Sequence, residues 1–381
     1  MGRMPRIFMV AGEPSADKHG AMLGQALLKA GKVRLAGVGQ SRMREAGFDL
    51  LFDSAGWSGI GVIDSLKRVP KLLVRMRRLT SHLIAQPPDL LVPIDFGAFN
   101  VRLARRIRER VDCSILYYFP PRSWSRDADY SGMAGLVDRV ATPFLWSERR
   151  LLEAGIDAEW VGHPVVDRIH PLRPEDRAAL RANLQVVGVC PVIGLLPGSR
   201  GTEVGCNAPQ ILGAARRIAQ ELGDVALLLS VAPGVPEALL RDLVEQAGLA
   251  DRTTLVGGLT EIVQAADFVI AASGTATLET AAAACPMIIV YRGTWLQSIE
   301  KALRRFAVRF VGMPNILADE MIVPELIDRD AVAPKIARAA LELLTDAAAM
   351  ERMRERLLQA REKLGEPGVS DRVAAMALDM I

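Results

Sequence analysis

The chain has 381 residues, half of them hydrophobic and 24% charged, with 32 Gly and 22 Pro scattered along it. That is the composition of a globular chain with room for two or three domains, and it excludes a disulfide-stapled module, a fibre and a disordered protein. Forty-seven Lys and Arg against 44 Asp and Glu leave a formal charge of +3, too little to imply wholesale nucleic-acid binding.

Short apolar runs alternate with helical patterns. Ile7–Val10 reads as a strand followed by a helix over Asp17–Ala30. GVGQSR at 37 to 42 contains GxG without a third glycine and reads as an ordinary loop rather than a nucleotide fingerprint. Asp89–Pro93 is a second strand, Val101–Arg110 a helix and Ser114–Tyr118 a third strand. The rhythm restarts after Arg173–Gln185, with strands expected at Val192–Leu196, Val225–Ser230, Thr254–Val256, Phe268–Ala272 and Met287–Tyr291. LLV at 90 to 92, VIGLL at 192 to 196 and FVIAA at 268 to 272 lack alternation, as parallel strands buried on both faces do. The expectation is an α/β chain of two doubly wound, Rossmann-like domains, 1–170 and 171–345, joined near 167–182. From Ala331 the chain reads as helix, broken at Gly365–Gly368, with 346–381 packing back on the first domain.

Cys113, Cys190, Cys206 and Cys285 form no CxxC pair, and the four His show no ligand spacing. A reduced, cytosolic chain without metal is expected. The apolar run before Glu13 is too short for a signal-peptide core, and no stretch of about 20 uncharged apolar residues exists, so any membrane contact is expected to be peripheral.

In open α/β sheets, ligands bind beyond the carboxyl ends of the strands, and four loops in such places stand out. The first, AGEPSAD at 11 to 17, offers Glu13, Ser15 and Asp17 before a helix; Ser15 or Asp17 can equally be a helix cap. The second, PIDFGAFN at 93 to 100, sets Asp95 at a strand end, where a general base could act, and Asn100 at a helix start; either residue can also be a cap. In the third, Gly198, Ser199 and Arg200 join a flexible loop to a permanent guanidinium, which a diphosphate leaving group requires. The fourth places Ser273, Gly274, Thr275 and Thr277 between strand and helix, a pattern suited to phosphate at a helix N-terminus. Glu279 follows, either to accept ribose hydroxyls or to complement the helix dipole.

LKRVPKLLVRMRRLT at 66 to 80 interleaves Lys67, Arg68, Lys71, Arg75, Arg77 and Arg78 with Leu72, Leu73, Val74, Met76 and Leu79. Each basic residue near anionic lipid contributes about 1 kcal/mol, so the segment suits a membrane surface; a solvated helix face is the alternative. It lacks the aromatic residues that nucleic-acid binding would call for.

The four loops together, over nearly the whole chain, resemble the lipid-A-disaccharide synthase family, inverting glycosyltransferases of the GT-B type. The resemblance is carried by AGEPSADKHGA at 11 to 21, IDFGAFN at 94 to 100, VGHPVVD at 161 to 167 and LLPGSRGTEV at 195 to 204. ASGTATLETA at 272 to 281, PMIIVY at 286 to 291 and PNILADEMIVPELI at 314 to 327 complete it. It implies transfer from UDP-2,3-diacylglucosamine to 2,3-diacylglucosamine 1-phosphate across an interdomain cleft, releasing UDP and leaving a β-1,6-linked disaccharide. By the same resemblance Asp95 is the base and Arg200 the essential arginine, with Gly198, Ser199 and the stretch from Ser273 to Glu279 on the nucleotide sugar. Glu13, Ser15, Asp17, Asn100 and Trp124 fall on the acceptor side. No cofactor or metal is called for, since no DxD pair is placed for a diphosphate.

The partners implied are a UDP-sugar, an acylated glucosamine phosphate and the inner face of the cytoplasmic membrane, with the oligomeric state open and a homodimer one option. Departures from the family pattern gather in the first half: Ala16 for Gly, His19 for an aliphatic residue, Ala98 for a second Asp, and Leu145 for Glu after Pro143-Phe144. The 120–126 loop keeps Trp124 but lacks a second Trp, and Asp328 replaces the common Gln. These leave open a divergent acceptor, or a silent nucleotide-sugar-binding relative. His163 in the GHP turn is a structural hydrogen-bonder or, less commonly in such a turn, a proton carrier.

Overall fold

A computed structural model describes residues 3–57, 62–188, 191–292 and 309–381, with only the backbone of 62–69. The chain divides into two units, one made of 1–164 and 364–381, the other of 165–363.

In the first unit the elements are β1 (Arg6–Ala11), α1 (Pro14–Ala30), β2 (Arg34–Gly39), α2 (Ser41–Glu45), β3 (Asp49–Asp53) and α3 (Val62–Ala85). There follow β4 (Leu90–Ile94), α4 (Gly97–Arg108), β5 (Ser114–Tyr118), β6 (Arg139–Thr142), α5 (Leu145–Glu153) and β7 (Ala158–Trp160). The strands form one parallel sheet in the order β3-β2-β1-β4-β5-β6-β7. β4 is buried along its whole length. Phe8, Leu91, Leu103, Ile115 and Tyr117 are fully buried in one core, each contributing about 1.5–3 kcal/mol through loss of apolar surface to water.

The second unit holds α6 (Pro174–Asn183), β8 (Val192–Leu196), α7 (Gly201–Leu222), β9 (Ala226–Ser230), α8 (Glu237–Gln246), β10 (Thr253–Val256) and α9 (Leu259–Ala265). It continues with β11 (Phe268–Ala272), α10 (Thr275–Ala282), β12 (Met287–Tyr291), α11 (Met313–Ala318), β13 (Glu325–Ile327), α12 (Ala333–Leu344) and α13 (Ala347–Glu362). Its parallel sheet runs β10-β9-β8-β11-β12-β13. α14 (Val369–Leu378) returns to the first unit, where it packs on α1.

Both sheets reverse strand order at one point, β1/β4 in the first and β8/β11 in the second, and ligands gather at such points. All four loops singled out above leave from these four strands.

Several expected boundaries move. α1 starts at Pro14, whose fixed φ suits a first helical position, rather than at Asp17. α4 starts at Gly97 because Phe96, with φ +49°, already serves as its N-cap. The GVGQSR stretch expected to be a loop is instead the end of β2 and the start of α2, its glycines buried where a Cβ on Gly37 would strike the Met9 carbonyl at 2.3 Å. The C-terminal helical stretch has a further break at Asp346, whose side chain caps α13 by accepting from the Ala349 amide at 2.9 Å. Among the described residues no helix is long and apolar enough to cross a membrane.

The basic segment at 66 to 80 lies on α3. Lys67 and Arg68 fall outside the residues whose side chains are described, whereas Lys71, Leu73, Val74, Arg77 and Arg78 are exposed. Met76 is a correction: expected at a membrane, it is 4% exposed and belongs to the protein's own core with Leu79 and Leu83. Leu72 packs partly against that core, and the Arg75 guanidinium sits 5.0 Å from the centre of the Trp57 ring.

Candidate functional site

In the first unit, β1 and β4 are neighbours in register, Ala11 beside Ile94, so Glu13 and Asp95 leave the sheet side by side. The approach is close: a Cβ on Gly12 would meet the Phe96 ring at 2.3 Å. Asp95 and Phe96 both hold left-handed backbone, φ +48° and +49°, a conformation that costs non-glycine residues free energy and recurs at functional sites.

Three groups hold this turn. The Asp95 amide donates to the Tyr118 carbonyl at 3.0 Å, and the Tyr117 hydroxyl donates to the Asp95 carbonyl at 2.8 Å. Burial pushes the Tyr117 phenol up, with the charge of Asp95 a further cause, so it stays a donor. The Asn100 amide, fully buried, donates to the carbonyls of Val10, Ile94 and Asp95. The Asp95 carboxyl is pushed up to about 6, first by burial and then by the neighbouring charge of Glu13, against the pull of the Phe96 amide. A carboxyl titrating there is charged at neutral pH and basic enough to take a proton from an alcohol as a bond forms.

Two residues expected on the acceptor side are engaged within the protein. Asp17 is buried at 2% exposure, and its carboxylate accepts from the amides of Gln40, Arg42 and Met43 at 2.5, 3.2 and 3.3 Å. It caps α2, not its own helix. Asn100 is likewise a pin between strand ends. Ser15 is partly buried and Trp124 41% exposed. The Trp124 loop is tied to α5 by the Trp146 indole, which donates to the Ser123 carbonyl at 3.0 Å. His163 is 7% exposed, its backbone amide donating to Leu364 at 2.7 Å and its ring set among Phe119, Phe144 and His19.

In the second unit, β8 and β11 are paired with Leu196 beside Ala271, which brings the loops after them together. Gly198 has φ +119°, and a Cβ there would meet Glu203 at 2.9 Å. Glu203 sits one turn into α7. It accepts from the Ser199 amide at 3.2 Å and from Arg200 Nη1 at 3.0 Å, so the carboxylate already complements the start of α7 and fixes the guanidinium. The start of α10 has no acidic residue in its first turn and no side-chain cap. Gly274 and Thr275 are exposed there, and the helix's leading amides are suited to an anion.

The two hydroxyls expected on the nucleotide do other work. Ser273 Oγ donates to the Val311 carbonyl at 2.9 Å, and Thr277, fully buried, donates to the Gly274 carbonyl at 2.8 Å while accepting from the Met313 amide at 3.3 Å. Both shape the loop. Glu325 holds the far side, its carboxylate accepting from the amides of Val311 and Gly312 and from Asn315. Glu279, 8% exposed, is paired with Arg168 at 2.7 Å. Arg168 carried no local signal: it lies 111 residues away in sequence, just past the GHP turn.

The profile of the lipid-A-disaccharide synthetase family matches residues 7–378. The lipid-A-disaccharide synthase of Geobacter sulfurreducens is 35% identical over 99% of this chain and 97% of its own. That of Myxococcus xanthus is 32% identical over 100% and 99%. Among solved structures, a complex of Staphylococcus aureus MnaA with UDP aligns with a TM-score of 0.64 at 15% identity, covering 99% of this chain and 98% of its own. Anabaena HepE with UDP and glucose aligns at 0.57 and 12%, covering all of both chains. At these identities the structures share the fold, two parallel Rossmann-like units of the GT-B kind. With a family match across nearly its whole length, the chain belongs to the lipid-A-disaccharide synthetase family and is a hexosyltransferase.

Proposed function

We propose that the protein joins UDP-2,3-diacylglucosamine to 2,3-diacylglucosamine 1-phosphate, with inversion at the anomeric carbon. The acceptor 6-hydroxyl forms the new C–O bond, the bond to UDP breaks, and the hydroxyl proton passes to Asp95. The observation that carries this reading is the Asp95 carboxyl itself, set on a strained turn at the sheet's switch point and pushed up to about 6. Its first unit supplies the base. The second supplies the grip on the leaving group, with Arg200 and the start of α10 taking up the diphosphate charge that develops as the bond breaks. The UDP complexes of MnaA and HepE, which share the fold, support a uridine nucleotide as the donor's handle.

The acyl chains of both sugars keep the substrates at a bilayer, and α3 suits peripheral contact there: Leu73 and Val74 are about half exposed beside Lys71, Arg77 and Arg78. A second reading, transfer to a different lipid or sugar acceptor, is favoured by exposed Ala98 at the start of α4 and by Leu145, 37% exposed at the start of α5.

The test is an assay of the purified chain with both acyl sugars, following UDP and disaccharide together. Equimolar UDP and disaccharide are expected. UDP released only with some other acceptor establishes the second reading, and no transfer with any acceptor overturns both.

A further inference from the structure

α10 is a helix of small residues, and Glu279 is its one ionic side chain. Thr277, Thr280, Ala281 and Ala282 around it have no accessible surface. A carboxylate in such a place is a poor device for stability, because a buried ion pair rarely outperforms a well-packed apolar pair of similar volume. Yet the fold brings a cation to it from far along the chain. Arg168 Nη2 lies 2.7 Å from Glu279 Oε1, with the two side chains 26% and 10% exposed.

The turn that carries Arg168 is itself fixed. Ile169 is fully buried, its amide donating to the Val165 carbonyl at 2.9 Å, and the Gln264 side chain donates to the His170 carbonyl at 2.9 Å. Arg168 therefore presents its guanidinium from a backbone whose position does not depend on the ion pair.

We infer that Arg168 is a positioning residue for nucleotide recognition: it holds the Glu279 carboxylate oriented so that Glu279 can accept hydrogen bonds from the ribose hydroxyls of the donor. The inference rests on the proposal that the second unit binds a uridine nucleotide. A charged acceptor matters here, since hydrogen bonds to an ionised group are worth roughly twice those between neutral groups. Without Arg168 the carboxylate loses the guanidinium that orients it and is free to turn away, which removes the acceptor from the diol. Arginine suits the task because its planar fork fixes direction as well as charge.

The experiment is calorimetric titration of the full chain with UDP and with 2′-deoxy-UDP, for the wild type, Arg168→Ala, Arg168→Gln, Arg168→Lys and Glu279→Gln, each checked for its thermal transition. The wild type is expected to prefer UDP about tenfold or more, the size of one hydrogen bond to a charged group. Arg168→Ala, Arg168→Gln and Glu279→Gln should lose more affinity for UDP than for 2′-deoxy-UDP, which keeps only the 3′-hydroxyl, moving the ratio toward one. Arg168→Lys should recover part of the preference, and in turnover the neutral variants should raise the donor KM with little change in kcat.

An unchanged ratio in a folded neutral Arg168 variant overturns the inference, as does a wild type that binds both nucleotides equally. If neither neutral Arg168 variant folds, Glu279→Gln together with Arg168→Lys decides: a full preference in Glu279→Gln, or none in a folded Arg168→Lys, overturns it. A wild type that binds neither nucleotide overturns instead the reading on which the inference rests.

Discussion

Glu13 and Asp95 stand side by side at the carboxyl ends of two adjacent parallel strands, and the charge of Glu13 adds to burial in lifting the Asp95 carboxyl to about 6. Two acids on neighbouring loops are thus electrostatically coupled, and in the proposed reaction one tunes while the other takes the proton.

Asp95→Asn keeps a side chain that tolerates left-handed backbone and removes the base. We expect kcat to fall by about 10²–10⁴-fold, with UDP affinity unchanged by titration. The same variant should be more heat-stable than the wild type above pH 7. The folded carboxyl binds its proton more tightly than the unfolded one, so wild-type stability declines as pH rises from about 4 to about 6 and then stays low. The neutral amide avoids that loss, on the order of 3 kcal/mol, and the advantage should vanish below about pH 4.

The wild-type kcat/KM should fall tenfold per pH unit below about 6, as the base becomes protonated. Glu13→Gln removes one of the two causes of the raised value, so the acid limb should move to lower pH, while burial keeps it above that of an ordinary aspartate. A pH–rate profile of the variant superimposed on that of the wild type would refute the coupling.

Gly198→Ala meets two obstacles, a φ of +119° and a Cβ 2.9 Å from Glu203. Because Glu203 holds both Ser199 and Arg200, the strain should pass to the guanidinium. We expect a loss of about 1–3 kcal/mol in thermal unfolding. UDP affinity should weaken as it does in Arg200→Ala, for which kcat should drop by roughly 10²–10³-fold.

On α3, Leu73→Ser with Val74→Ser should leave stability within about 0.5 kcal/mol, as changes at exposed positions usually do. Co-sedimentation with phosphatidylglycerol vesicles should fall. Met76→Ala, one turn away but buried, should instead cost about 2–5 kcal/mol without a specific effect on vesicle binding.

Much of this architecture could be read from the chain. Continuous apolar runs such as VIGLL and FVIAA announce parallel strands, and the loops after them announce where ligands collect, because both signals are local. β2 escaped notice because RLAGVG looks like a turn; its glycines serve close strand packing, which only the neighbouring Met9 carbonyl reveals. Spacing also left Asp17 undecided between site and cap, and its true partners, the amides of α2, lie 23 to 26 residues on. Ser273 and Thr277 carry the right chemistry for phosphate, but the carbonyls that take their protons come into reach only when the loop folds. Arg168 belongs to no motif of its own; a buried carboxylate at Glu279 implies a cation somewhere, and only tertiary structure says which.

The first unit is not contiguous: the Arg372 guanidinium donates to the Val161 carbonyl at 2.9 Å, and the Ser114 hydroxyl to the Met380 carbonyl at 3.0 Å. A ribosome making this chain releases the whole sheet β1–β7 long before the helix that covers α1 emerges, so the half bearing Asp95 waits, unfinished, while the other half is synthesised and folds. Removing residues 364–381 would therefore injure the unit whose sheet is made first and leave the unit made after it, 165–363, whole.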